Sequence, residues 1–161
     1  MRNRQKGFSL IELLIVVAII LIIAAIAIPN LIRSRMAANE ASAVASLRTI
    51  NTAEVVYSTT YAVPTLFSAN LGDLGDRAGT CATVPPVATN ACLIDNVLAT
   101  ATASAAAKSG YFFTYAAANG YTVNANPSQP GSSGVRGFFT DQTLVIRAQN
   151  PAPATVASLP L

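Results

Sequence analysis

Residues 10–28 are apolar without interruption except at Glu12, and the run is apolar on every side, with no period of two or 3.6 to give it a polar face. Counted to Pro29 it is twenty positions, or roughly 30 Å as a helix, which matches the hydrocarbon thickness of a bilayer. After Pro29 the pattern changes but does not stop. Ile32, Met36, Ala43, Leu47, Ile50 and Tyr57 fall near one stripe at helical spacings, while Arg33, Arg48, Asn51 and Glu54 lie mostly off it. One helix from about Ser9 to Thr59, roughly 75 Å long, is therefore expected, apolar all round in its first half and amphipathic in its second. Pro29 cannot donate to the helical ladder and clashes with the preceding turn, so a kink or an unwound stretch is expected near residues 25–29, with a simple membrane exit as the alternative.

Residues 62–109 carry loop signals: Pro64, Gly72, Gly75, Gly79, the Pro85-Pro86 pair and two cysteines. Two short helices are expected within them, one capped by Thr65 and running to Leu74, the other capped by Asp95 and ending at Gly110. The period then switches to that of strands. Residues 111–115 and 121–125 flank an Asn119-Gly120 turn, and residues 136–140 and 143–148 flank Asp141-Gln142, which predicts two hairpins of one antiparallel sheet. Such a sheet needs a cover for one face, and the amphipathic half of the long helix can supply it. The fold class expected is α+β: a long N-terminal helix packed on a small antiparallel sheet. Three prolines in the last twelve residues predict an irregular tail.

Charge sharpens this picture. The formal net charge is +3, and Arg2, Arg4 and Lys6 account for all of it; beyond them seven basic residues balance seven acidic ones. A chain without its first seven residues is neutral, a state that favours association. No basic run is interleaved with aromatics, so a nucleic-acid partner is not expected. There is no histidine, which excludes imidazole catalysis and most zinc and copper sites. Cys81 and Cys92 are too few for a four-thiolate metal site; outside the cytoplasm their even number favours one disulfide, the alternative being two free thiols. The three cations before the apolar run, against Arg33 and Arg35 after it, place the N-terminus in the cytoplasm and the rest outside. A conventional signal peptide cut after Ala27 is the rival, but the apolar run exceeds the usual length of such a segment and helical patterning continues past Pro29.

The junction KGFSLIELLIVVAII resembles the N-terminus of the type IV prepilin-like family, which includes type IV pilins and the pseudopilins of type II secretion. Lys6, Gly7, Phe8, Ser9, Leu10, Ile11 and Glu12 match the family pattern position by position, and the likeness extends over roughly residues 1–60. It implies a structural subunit and not an enzyme, with no cofactor. It implies cleavage between Gly7 and Phe8 by a prepilin peptidase that also N-methylates Phe8, and insertion in the bacterial inner membrane before assembly. An inner-membrane platform and an assembly ATPase would then build a filament of identical subunits, as a surface pilus or a periplasmic pseudopilus. The organisation expected is a leader at 1–7, a spanning or filament-core helix at 8–29, its amphipathic half at 30–60, a loop region at 61–109, the sheet at 110–149 and the tail at 150–161.

Within this frame Glu12 has two readings. Ser9 and Glu12 have the spacing of a capping box, in which each side chain reaches a free backbone N–H of the first turn. The resemblance implies instead that Glu12 pairs with the Phe8 amine of a neighbouring subunit. Capping returns about 0.5–2 kcal/mol, less than the roughly 2.5–3.5 kcal/mol that a carboxylate costs at the centre of a spanning helix, so a bundle of apolar helices would still require an opposite charge. Asp73 and Asp76, in GDLGD, could offer oxygens to Ca2+, although acids beside glycines are commonly turn formers. Asp141 is read as a turn residue, and the aromatics of residues 111–115 and 138–139 as sheet core. The cysteine pair departs from the usual pilin arrangement, in which a disulfide closes a C-terminal loop. A secreted binding domain with a conventional signal peptide is the further alternative.

Overall fold

The computed structural model describes residues 8–61, 66–76, 79, 81–118 and 120–161. The expected basic leader with Gly7, the expected Thr65 cap and Asn119 of the expected first turn lie outside them. Helix α1 spans Leu10–Thr60, 51 residues rich in Leu, Ile and Ala, with Pro29 inside it. Helical assignment is unbroken across residues 25–29, so the expected unwound stretch is not adopted. The chain divides into two compact units, Met1–Arg35 and Met36–Leu161, and α1 contributes to both.

In the first unit the helix has an apolar window of mean hydropathy 3.3, none of it buried. In the second, α1 buries Glu40, Ala43, Ser46, Leu47, Ile50, Asn51, Ala53, Glu54 and Tyr57. This corrects the stripe at both ends of the polarity scale. Ile32 is exposed and Met36 only half-buried, whereas Asn51 and Glu54, assigned to the polar side, are inside. Leu47 and Ile50, fully buried, meet Leu71, Leu74, Leu98 and the inner face of the sheet. Each such aliphatic side chain removed from water contributes about 1.5–3 kcal/mol.

The sheet is a five-stranded antiparallel meander in chain order: β1 (Tyr111–Ala117), β2 (Tyr121–Pro127), β3 (Gly137–Asp141), β4 (Arg147–Gln149) and β5 (Leu159–Pro160). The first hairpin falls where the alternation places it, with Tyr111 opposite Pro127 and Ala117 opposite Tyr121. Tyr111, Phe113, Tyr121, Val123 and Phe138 turn inward and are buried, as sheet-core aromatics and β-branched residues should be. The second hairpin starts later than expected. The Asp141 carboxylate accepts from the Thr143 N–H (2.9 Å) and hydroxyl (2.5 Å), and the Leu144 N–H reaches the Asp141 carbonyl with φ +64° at Leu144. This turn consumes residues 142–146, and pairing begins at Arg147.

Two further expectations are corrected. Asp95 does cap helix α2, accepting from the Leu98 N–H at 3.0 Å, but α2 is only Asn96–Thr100. It stops because the Ala101 carbonyl is taken by the Phe113 N–H at 2.7 Å, a strand-like bond along the β1 edge, followed by a 3-10 turn at Ser104–Ala106. The helix expected up to Leu74 is reduced to a 3-10 turn at Leu71–Leu74. The tail is not irregular throughout: Leu159–Pro160 pairs with β4, and the Leu161 N–H bonds the Ile146 carbonyl at 2.9 Å. Without it β4 would expose an unpaired edge. Gly137 lets the tail pass, since a Cβ there would lie 2.8 Å from Ala152 Cβ.

Candidate functional site

The residues singled out by their sequence pattern stand at the start of α1. Phe8 is 79% exposed, and the apolar side chains that follow are exposed as well. Glu12 sits in the first turn, and its carboxylate accepts from the Ser9 backbone N–H at 2.9 Å, while the Ser9 carbonyl receives the Leu13 N–H at 3.3 Å. Glu12 thus forms its half of the capping box. That bond employs one oxygen at the helix N-terminus, where a negative charge is also favoured by the helix dipole. It supplies no cation. Gly7, the other half of the expected processing junction, lies outside the described residues.

Away from this end, polar side chains of α1 fasten the second unit together at three places. Glu40 Oε1 accepts from the backbone N–H groups of Val135 and Arg136, both at 3.1 Å, and Oε2 accepts from Arg136 Nε at 2.8 Å. One residue earlier, Asn39 Nδ2 donates to the Ser133 carbonyl at 2.8 Å. The loop between β2 and β3 is therefore clamped to the helix. Burial pushes the Glu40 carboxyl up, but the two backbone donors and the Arg136 guanidinium outweigh it and hold it below the ordinary carboxylate value.

Asn51 is the second fastening. Its Nδ2 donates to Thr140 Oγ1 (2.9 Å) and the Leu144 carbonyl (3.3 Å), and its Oδ1 accepts from the Tyr121 hydroxyl (3.0 Å). Glu54, with no solvent exposure, is the third: it accepts from the Tyr115 hydroxyl (2.6 Å), the Ser68 hydroxyl (2.5 Å) and the Ser68 N–H (3.2 Å). Burial and then the bond to Glu54 push the Tyr115 hydroxyl far above its ordinary pKa, so it stays a donor. The sequence held a signal for these residues that the polarity reading discarded. Asn51 and Glu54 stand four positions after Leu47 and Ile50, on the same side of the helix.

The Glu40 clamp has a consequence for pH. A carboxyl whose folded pKa lies below its unfolded value stabilises the fold above the unfolded value, and the contribution is lost as pH falls through the folded value. Because Arg136 is partly exposed, screening limits the contribution to about 1–2 kcal/mol. Glu40→Gln is therefore expected to unfold at lower urea at pH 7 and to lose less stability than the parent between pH 5 and pH 3, both read from urea midpoints.

Cys81 and Cys92 form a disulfide with a sequence separation of 11. Closing a loop of that length contributes about 2–3 kcal/mol in the chain-entropy model. Asp76 Oδ1 accepts from the Cys81 N–H at 3.3 Å, and its carboxylate lies near both sulfurs. Asp73 is buried, and its carboxylate accepts from Asn70 Nδ2 at 2.6 Å. Both acids of GDLGD thus hold local turns, and sulfurs joined to each other are not thiolate ligands.

Residues 2–28 match the family described as the prokaryotic N-terminal methylation motif. The type IV wide pilus major component PilA4 of Thermus thermophilus is 65% identical over 40 residues, 25% of this chain and 30% of that protein. The type IV major pilin protein PilA of Myxococcus xanthus is 51% identical over 51 residues, 32% of this chain and 23% of that one. The chain thus matches less than a third of the length of either relative. No solved structure matches the chain.

Proposed function

We propose that this chain, whose residues 2–28 match the prokaryotic N-terminal methylation motif and whose N-terminal segment is similar to two type IV pilins, is itself a pilin of the type IV prepilin-like family: a structural subunit, without catalytic role, that polymerises into a pilus. It is made as a single-pass precursor in the bacterial inner membrane with the leader in the cytoplasm. Prepilin peptidase cuts between Gly7 and Phe8 and methylates the new Phe8 amine. A membrane platform driven by an ATPase then moves the helix from lipid into a bundle of identical helices. Pro29 offers a bend during that transfer, because its missing N–H leaves the Ala25 carbonyl without its helical donor.

The observation that carries this reading is a carboxylate at Glu12 inside a matched methylation motif and a wholly exposed apolar run. The pilus is preferred to a type II secretion pseudopilus because both relatives are named as pilus components. Intact mass of the mature chain tests the proposal. A methylated N-terminus at Phe8 is expected; a chain that begins at Ile28 would make the apolar segment a conventional signal peptide and overturn it. Filaments containing the Phe8 chain, recovered by shearing cells, would distinguish the surface pilus from a periplasmic pseudopilus.

A further inference from the structure

Arg33 and Arg35 are not used by the assembly scheme above. Both are exposed, and among the described residues neither takes part in an ion pair. The one described carboxylate of the same unit, Glu12, is 21 positions away along α1, or roughly 31 Å, far beyond side-chain reach. From Glu40 onward each described side-chain carboxylate already has a partner within its own unit, such as Arg136 for Glu40, Ser68 for Glu54 and Lys108 for Asp95.

Their position along the helix identifies what can meet them. Arg33 lies four residues and Arg35 six residues beyond Pro29, which is roughly 6 and 9 Å along the axis. The headgroup layer beyond the hydrocarbon is roughly 5–7 Å deep on each side, so Arg33 starts within it and Arg35, just past its outer edge, reaches back into it along a side chain directed toward the helix N-terminus. Two residues along a helix are also turned by about 200°, which puts the arginines on opposite sides. A flat protein surface could engage only one of them. A headgroup layer surrounds the helix and can engage both.

We propose that Arg33 and Arg35 form an anionic-lipid site that grips phosphate headgroups of the outer leaflet while the precursor waits in the membrane. The inference rests on the reading of residues 10–28 as a spanning segment. Guanidinium groups suit the task, since each presents a planar fork of donors to phosphate oxygens. Removal of the helix into a bundle must break these contacts, so the pair acts as a catch that the assembly machine has to release.

The test uses the full chain in bilayers of phosphatidylcholine containing phosphatidylglycerol, with spin-labelled lipids to report which headgroup lies at the protein boundary. The parent is expected to prefer labelled phosphatidylglycerol more strongly than the double variant Arg33→Gln, Arg35→Gln, by roughly five-fold for each arginine removed; the difference isolates this pair from the basic leader on the opposite leaflet. Arg48→Gln, exposed but far along the helix, should match the parent. Equal lipid preference in parent and double variant, with both retained after alkaline extraction, would overturn the catch and leave the spanning segment standing. A parent chain washed off at alkaline pH would overturn the spanning segment and the catch together.

Discussion

Glu12→Ala should leave the chain inserted and cut at Gly7 while filament yield falls more than ten-fold. The physical case is a balance of charges in a medium without water. In the monomer the carboxylate is held at the helix start by the Ser9 N–H, near enough to the interface to be solvated. Transfer into a bundle of apolar helices removes that water, and a carboxylate without a cation costs several kcal/mol there. In the proposed filament the Phe8 amine, freed by the proposed cleavage, would be the matching cation. A deficit of even about 1.4 kcal/mol per added subunit is ten-fold in the association constant.

Glu12→Gln separates the two roles of this side chain. Glutamine can still accept from the Ser9 N–H, so capping survives, but it has no charge for the amine. If sheared filaments of the glutamine variant are as abundant as those of the parent, charge pairing is wrong and capping suffices. If they are as scarce as those of the alanine variant, the charge is what assembly requires.

The second large effect lies in the globular unit. Glu54→Leu is expected to destabilise it by about 2–4 kcal/mol, because the substitution leaves the Ser68 N–H without its acceptor and leaves the Tyr115 and Ser68 hydroxyls only each other and the Ser68 carbonyl, in place of a carboxylate with no solvent exposure. Glu54→Gln keeps one acceptor and should cost less, about 1–2 kcal/mol. Urea unfolding of the two variants beside the parent measures the difference. A leucine variant as stable as the parent would mean that the network is dispensable and that packing alone joins helix to sheet.

Features that depend on neighbours in sequence were legible from the chain. The long apolar run, the capping spacing of Ser9 and Glu12, the cap at Asp95 and the place of the β1–β2 hairpin are all set by local patterns. The length of α2 was not legible. Alanine and threonine in residues 99–107 read as helix, yet the Ala101 carbonyl is taken by Phe113, and a distant strand overrides a local preference. The start of β4 and the late strand β5 were missed for a similar reason: one depends on how Asp141 folds its own turn, the other on an open edge that the tail happens to reach.

The sequence by itself determined that the chain has an apolar helix with an internal acid, an N-terminal methylation motif at its start and a small antiparallel sheet, because periodicity and motif spacing are written residue by residue. Only the tertiary structure decided that Glu40, Asn51 and Glu54 belong inside. Their partners stand from 14 to 96 positions away, and a polar residue on an amphipathic helix reads as surface until the donors that satisfy it are brought alongside.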